Sequence, residues 1–216
     1  MDYAAARQHM IDSQIRTNKV TDPAIIAALA STPRETFVAE AQRSLAYIDR
    51  AVPIGAGRRM TEPMVVARLL QAADLQPQES TLIVAAGTGY SAAILARLVK
   101  RVVAVEPVAA LAQRARANLA ALGAANVTVV EGPAGAGSAA NGPFDFILVD
   151  GAAEIVPDAL TQQLSARGRL AVVMTDEGVG RGTLFVRADG VVSRRALFDA
   201  DADVLADFKR PQRFVF

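Results

Sequence analysis

The sequence predicts an α/β fold, doubly wound around a mainly parallel sheet, with N-terminal helices and a C-terminal antiparallel hairpin. Three observations carry that expectation. From residue 77 to 182, short runs that are apolar throughout alternate with longer helical segments, which is how strands read when helices cover both faces of a parallel sheet. The glycine turn Gly87-Thr88-Gly89 joins the first such strand directly to a helix. Near the end of the chain, Asp189-Gly190 separates two strand-like runs, and this dipeptide accepts the positive φ angles of a two-residue hairpin turn.

The Ala-rich stretch from Tyr3 to Arg16 reads as a helix. Thr21-Asp22-Pro23 then supplies a cap and a proline at the first helical position, so a second helix is expected from Pro23 to Ala30. After a turn at Pro33 the periodicity is poor, and Ile54 to Pro63 reads as a flexible basic loop. That loop opens a helix at Pro63, with Thr61 or Glu62 near its cap, which continues to about Ala73. Beyond Gln76-Pro77-Gln78-Glu79, strands are expected over Thr81–Ala86, Arg101–Val105, Val127–Glu131, Phe144–Val149 and Gly168–Met174. Helices over Tyr90–Leu98, Val108–Leu122 and Pro157–Leu164 connect them, and Gly132 to Gly142 is a loop. Thr183–Arg187 and Val191–Leu197 close the sheet edge as antiparallel strands. The expected organisation is one domain, with 1–76 a helical and substrate-loop region, 77–182 the α/β core and 183–216 the closing strands.

A chain of 216 residues with 52% hydrophobic residues can bury one substantial core. Its 23 basic and 22 acidic residues leave a net charge of +1, so no global field collects nucleic acid or an anionic membrane, and neither is expected as a partner. The absence of cysteine excludes disulfides, thiolate metal sites and thiol catalysis, and the single histidine, His9, argues against a histidine triad or metal cluster. No metal is expected. The N-terminal stretch has no apolar segment after a basic start, and no apolar run is long enough to span a bilayer, so the cytoplasm is the expected location.

In open α/β sheets, ligands sit at the carboxyl ends of strands where the strand order reverses. That rule selects four places. Ala85-Ala86-Gly87-Thr88-Gly89-Tyr90 follows the first parallel strand, where a backbone without side chains can approach a ligand closely. Glu106 ends the next strand and can accept hydrogen bonds from both hydroxyls of a ribose. Glu131-Gly132-Pro133 follows the third strand, in reach of an adenine edge, and Asp150-Gly151 follows the fourth, where substrate would meet cofactor. The alternatives are a tight turn without a ligand and solvated loop carboxylates. A dinucleotide site is a further alternative, since Gly87 to Ala92 satisfies its glycine pattern. Against it stand the long preamble before the first parallel strand and the lack of a catalytic tyrosine-lysine or histidine arrangement.

Together with the preamble, these residues resemble the protein-L-isoaspartate O-methyltransferase family, which has the Rossmann-like methyltransferase fold. The similarity runs from Met10-Ile11-Asp12-Ser13-Gln14-Ile15 to Arg213-Phe214-Val215-Phe216. Its telling fragments are Pro33-Arg34-Glu35-Thr36-Phe37-Val38, Ala46-Tyr47-Ile48-Asp49, Pro53-Ile54-Gly55, Thr61-Glu62-Pro63 and Gly87-Thr88-Gly89-Tyr90. The resemblance implies methyl transfer from S-adenosylmethionine to the side-chain carboxylate of an isoaspartyl residue in a damaged protein or peptide. It implies that Ala85, Gly87, Thr88, Gly89, Tyr90, Glu106, Glu131 and Gly132 hold the cofactor, and that Arg59, Glu62 and Asp150 meet the substrate. Thr61 stands where the family has a serine in its substrate loop, and its hydroxyl would orient the acceptor carboxylate. Thr61 equally suits a helix N-cap, and the two roles are compatible.

The chain departs from the family pattern in three places. Ile83 and Ala85 stand where the first parallel strand carries an acid and a glycine, so low cofactor affinity is expected, and Ile83→Asp is expected to raise it if the missing acid is the defect. Glu62 and Met64 replace a glutamine and an aromatic, putting a negative charge beside an anionic acceptor, with Arg58 and Arg59 as candidates to neutralise it. Glu131-Gly132-Pro133 replaces glycine, aspartate, glycine, so any adenine contact is rebuilt. These departures keep two further readings open, a methyltransferase with another acceptor and a decayed relative that binds or regulates.

Overall fold

The computed structural model describes residues 1–176 and 178–211, so the resemblance at Arg213 to Phe216 lies outside the described residues. The N-terminal region holds helices α1 (Tyr3–Met10) and α2 (Pro23–Ala30), a small antiparallel hairpin of β1 (Val52–Gly55) and β2 (Arg58–Met60), and helix α3 (Pro63–Ala73). The α/β region follows with β3 (Ser80–Val84), α4 (Tyr90–Leu95), β4 (Arg101–Glu106), α5 (Ala109–Ala121), β5 (Val127–Glu131), β6 (Phe144–Ala153), α6 (Asp158–Gln162) and β7 (Leu164–Asp176). Strands β8 (Val179–Ala188) and β9 (Val191–Asp199) finish it.

One seven-stranded sheet runs in the order β5-β4-β3-β6-β7-β8-β9. Strands β3 to β7 pair in parallel, while β7–β8 and β8–β9 are antiparallel. The chain enters at β3, moves outward through β4 and β5, then crosses to β6 on the other side of β3. The strand order therefore reverses between β3 and β6, and a crevice opens beyond their carboxyl ends. The expected Asp189-Gly190 turn is present, with φ of +51° and +79° at the two residues.

Alternation along each strand sends side chains to two apolar layers. Ile83, Ala104 and Leu148 face one layer with Met10, Val66 and Leu184, while Leu82, Val103 and Ile147 face the other with Leu160 and Phe208. The N-terminal preamble thus packs on one face of the sheet. Local sequence explains its helix starts, since Asp22 Oδ1 accepts from Ala24 N at 2.7 Å and Ile25 N at 3.2 Å, and Pro23 occupies the first turn.

Several boundaries differ from expectation. The first helix keeps α geometry only to Met10, then widens to a π-helix over Ile11–Ile15 and tightens to a 3-10 turn over Arg16–Asn18. Helix α4 stops at Leu95 rather than Leu98. The largest change is in the segment read as a flexible loop, which is the β1–β2 hairpin. Gly55, Ala56 and Gly57 turn the chain with φ of +104°, +52° and +69°, and Val52, Ile54 and Met60 point into the core. Two strands of four and three residues are too short to write a period that distinguishes them from a loop.

Candidate active site

The floor of the crevice is built from the ends of β3 and β4. After β3 the chain needs left-handed conformations to turn into α4, at Ala85 (φ +59°), Gly87 (+59°) and Gly89 (+95°). Glycine adopts these freely; alanine does not, so Ala85 holds a glycine conformation at a cost of about 1 kcal/mol. Glu106, fully buried at the end of β4, fastens the turn. Its Oε2 accepts from Gly87 N at 2.7 Å and its Oε1 from Val108 N at 3.0 Å. Burial pushes the Glu106 carboxyl above its ordinary range, and Arg58 and the two backbone N–H groups pull it back.

Arg58 lies across this floor. Its Nη1 is 3.5 Å from Glu106 Oε1 and its Nη2 donates to the Ala85 carbonyl at 2.9 Å. The hairpin that carries Arg58 is pinned by Arg114 Nη1, which donates to Ile54 O at 2.7 Å. Ile54 also presses on the turn, since a Cβ at Gly87 would stand 2.8 Å from Ile54 Cδ1. Glycine adopts this φ without strain, and any Cβ there would require the end of the Ile54 side chain to shift.

Beside the floor, Thr61 Oγ1 donates to Asp150 Oδ1 at 2.7 Å, joining the N-terminal region to the sheet. Thr61 is held from behind by Arg34, a guanidinium with no exposed surface. Arg34 Nη2 donates to Thr61 O at 2.7 Å and Nε to Ala46 O at 2.7 Å, and the guanidinium lies 4.5 Å over the Tyr90 ring. Burial lowers the pKa of Arg34 from its ordinary value, with Tyr90 and Asp150 among the groups opposing that shift. Tyr47 supports this unit in turn. Its hydroxyl accepts from Arg7 Nε at 3.0 Å and Arg34 N at 3.2 Å, and donates to Glu35.

Two small cavities, each about 10 Å³, open on this arrangement. One lies over Gly87 and Tyr90 and the other beside Thr61 and Gly151, and Arg58, Arg59 and Asp150 line both. A floor that presents a buried carboxylate and a turn of small residues around Gly87 is thereby placed next to a hydroxyl and a second carboxylate. Chemically this can hold a polyhydroxylated ligand on one side and orient a polar acceptor on the other.

The residues expected at a site converge unevenly. Gly87, Ala85, Tyr90, Glu106, Arg59, Thr61 and Asp150 meet at these cavities or their walls. Asp150 lies within β6, which continues to Ala153 with an irregular register between Leu148 and Ala152, rather than after the strand. Thr88 lines the cavity over the turn, while its Oγ1 donates to Phe37 O at 2.6 Å and locks the preamble to the turn. Gly89 faces α5, where a Cβ would stand 3.3 Å from Leu119. Glu131 is exposed beside Glu106 in the β4–β5 register, and Gly132 N donates to Glu106 O at 3.3 Å. Neither Glu131 nor Gly132 lines the two cavities.

Three expectations about charge and capping change. Glu62, not Thr61, is the N-cap residue of α3, and it makes no side-chain cap bond. The Thr61 hydroxyl proton goes to Asp150 instead of standing free for an acceptor. Arg58 and Arg59 do not neutralise Glu62, because Arg58 engages Glu106 and Arg59 lies 3.8 Å from Asp203. Burial first, then Asp49 and Asp201, push the Glu62 carboxyl up, opposed by Arg50 and Arg34. The residue that sequence reasoning left without a role is Arg34, although it stands in the fragment Pro33 to Val38. Its function depends on carbonyls 12 and 27 residues away, which no local pattern reveals.

Residues 5–197 match the family model of protein-L-isoaspartate (D-aspartate) O-methyltransferase. The protein-L-isoaspartate O-methyltransferase of Methanoregula boonei is 42% identical over 166 residues, covering 77% of this chain and 76% of the relative. Protein-L-isoaspartate O-methyltransferase 1 of Rhodopseudomonas palustris is 38% identical over 208 residues, covering 96% of this chain and 82% of the relative. A solved structure from Plasmodium falciparum, described as a beta-aspartate methyltransferase in complex with S-adenosyl-L-homocysteine, superposes with a TM-score of 0.80. That alignment covers 96% of this chain and 99% of that one at 18% identity, and it carries the shared fold. The match to the family model and the identity along most of the chain decide the assignment. This chain belongs to the protein-L-isoaspartate (D-aspartate) O-methyltransferase family.

Proposed function

We propose that this chain is an S-adenosylmethionine-dependent O-methyltransferase acting on the side-chain carboxylate of isoaspartyl residues in proteins or peptides. The observation that carries the reading is the sharing of Arg58, Arg59 and Asp150 between a cavity over the Gly87 turn and a cavity beside Thr61. A donor on one side and an acceptor on the other would meet across that wall. The residues fit an adenosyl group in chemistry, because Glu106 is a carboxylate at a strand end that suits a ribose diol and the Gly87 turn fastened to it lines the adjoining cavity. The present volume of about 10 Å³ is too small for a nucleoside, so the hairpin side chains must yield.

S-adenosylmethionine, when bound, supplies an electrophilic methyl on sulfur. An acceptor carboxylate is already ionised at neutral pH, so no general base is needed and orientation with partial desolvation carries the acceleration. In this reading Glu106 and the Gly87–Tyr90 turn hold the cofactor. Thr61 and Asp150 position the acceptor, and Arg34 fixes Thr61 by its backbone carbonyl. Arg59 supplies positive charge near an anionic acceptor, while Glu62, Asp49 and Asp201 set an acidic rim that selects against additional negative charge. That rim favours a second reading, a methyltransferase with a less anionic acceptor.

We read residues 1–76, 77–182 and 183–216 as parts of one methyltransferase domain, supported by a buried cluster that takes Met10, Ile83 and Leu184 from the three regions. Among the described residues no helix is long and apolar enough to cross a membrane. The cytoplasm is the proposed setting. The test is a radiolabel assay with an isoaspartyl peptide beside its aspartyl counterpart. Preferential labelling of the isoaspartyl peptide is expected. Equal labelling overturns the repair reading, and no binding of S-adenosylhomocysteine at millimolar concentration overturns the methyltransferase reading.

A further inference from the structure

Arg58 occupies the position that the proposed function requires for a ribose. It is the side chain that touches both Glu106, at the end of β4, and the Ala85 carbonyl, just after β3. The Arg58 side chain retains 17% of its exposure and Glu106 none, so this contact is shielded from screening by salt. Its geometry is held by the hairpin, itself tied to α5 through Arg114 and Ile54. We propose that Arg58 determines cofactor affinity in this chain by serving as an internal occupant of the ribose carboxylate, which a nucleoside must displace.

The argument rests on the reading of the site as an adenosyl site. Each oxygen of Glu106 already accepts one backbone N–H, and the Arg58 guanidinium lies 3.5 Å from Oε1 as an ion pair, beside the directions that remain. A carboxylate has roughly four lone-pair directions; a ribose diol needs the two that the backbone leaves, and the guanidinium stands in their approach because Glu106 has no exposed side-chain surface of its own. A protein whose competent state is only fractionally populated binds with an apparent dissociation constant raised by that fraction. Occupation of Glu106 by Arg58 in about nine molecules of ten costs about tenfold in affinity.

The experiment is calorimetric titration of S-adenosylhomocysteine into the wild-type chain, Arg58→Gln, Arg58→Lys and the distant charge control Arg194→Gln. Glutamine keeps an amide donor for Ala85 O, in place of the Arg58 Nη2 bond, and removes the positive charge beside Glu106. Arg58→Gln is expected to bind about tenfold tighter than wild type, Arg58→Lys by an intermediate factor, and Arg194→Gln equally to wild type. Unchanged or weaker binding by a folded Arg58→Gln overturns the proposal while leaving the methyltransferase reading intact. Absence of binding by every variant at millimolar ligand overturns that reading and the proposal with it. Should Arg58→Gln fail to fold, arginine-specific labelling of the wild-type chain decides. Modification of Arg58, mapped by mass spectrometry, is expected to accelerate when S-adenosylhomocysteine is bound, and slower modification overturns displacement.

Discussion

Thr61 Oγ1 donates to Asp150 Oδ1 at 2.7 Å, across 89 residues of sequence, and so fixes the N-terminal region against the carboxyl half of the sheet. Thr61 is only 7% exposed, so loss of its hydroxyl leaves the Asp150 oxygen without that partner. Thr61→Val keeps the branched shape and removes the donor. Its kcat for methyl transfer to an isoaspartyl peptide is expected to fall by about ten- to a hundredfold, from the value of one hydrogen bond to a charged group. S-adenosylhomocysteine affinity is expected to stay within about twofold, since the hydroxyl faces the acceptor side. Thr61→Ser should retain most activity. Equal losses in kcat and in ligand affinity would place Thr61 in the cofactor site instead.

Glu106 gives a prediction in both affinity and pH dependence. Glu106→Gln keeps an acceptor for Gly87 N–H but removes the charge, and S-adenosylhomocysteine is expected to bind about ten- to a hundredfold more weakly. The folded-state pKa of Glu106 is raised by burial. Such a group contributes stability that is fully present below its unfolded value and lost as the pH rises through the folded value. Melting temperatures measured from acid to neutral pH should therefore decline less in Glu106→Gln than in wild type. Parallel curves would remove the assignment of a raised carboxyl.

The central sheet was legible because burial on both faces writes continuous apolar runs such as Leu82 to Ala86, and Glu106 was legible from its place at a strand end. The β1–β2 hairpin was not, because Arg58 and Arg59 make a three-residue strand look like a basic loop. Arg34 was hidden for a different reason. An arginine in a polar stretch reads as solvated, yet this one is fully buried, with Nε and Nη2 held by carbonyls from two other segments. Long-range hydrogen bonds leave no period in the sequence, so the floor of the site could be read and its occupant, Arg58, could not.

Tyr47 organises the support behind the site, and its pKa makes that support measurable. Burial and the hydrogen bond to Glu35 raise the phenol from 10.0 to about 12, with Arg7 opposing. A raised folded-state value means that the contribution is present below pH 10.0 and is lost as the pH rises through about 12. Tyr47→Phe is expected to lose about 1–3 kcal/mol at neutral pH, because Arg7 Nε and the Arg34 N–H lose their acceptor and Glu35 its donor. Urea unfolding at neutral pH and at pH 11 should show the gap between the two proteins narrowing. A gap that stays constant would argue that the loss is one of packing alone.

Ile83 reverses the expectation drawn from its departure from the family pattern. The sequence suggested that restoring an acid at this position would strengthen cofactor binding. In the folded chain Ile83 has no exposed surface, pairs with Ala104 and Leu148 in the parallel ladder, and packs in the layer that holds Met10 and Val66. A carboxylate there loses its hydration without a partner already built for it, and Ile83→Asp also leaves a cavity where the longer side chain was. Each effect alone costs about 2–5 kcal/mol, against a gain in affinity of at most one charge-assisted hydrogen bond, about 1.5–3 kcal/mol, to a bound ligand. Ile83→Asp is therefore expected to lower the urea midpoint and to bind S-adenosylhomocysteine no more tightly than wild type. The variant that raises affinity should be Arg58→Gln. A folded Ile83→Asp with tighter binding would mean that the missing acid, rather than the arginine resting on Glu106, limits the site.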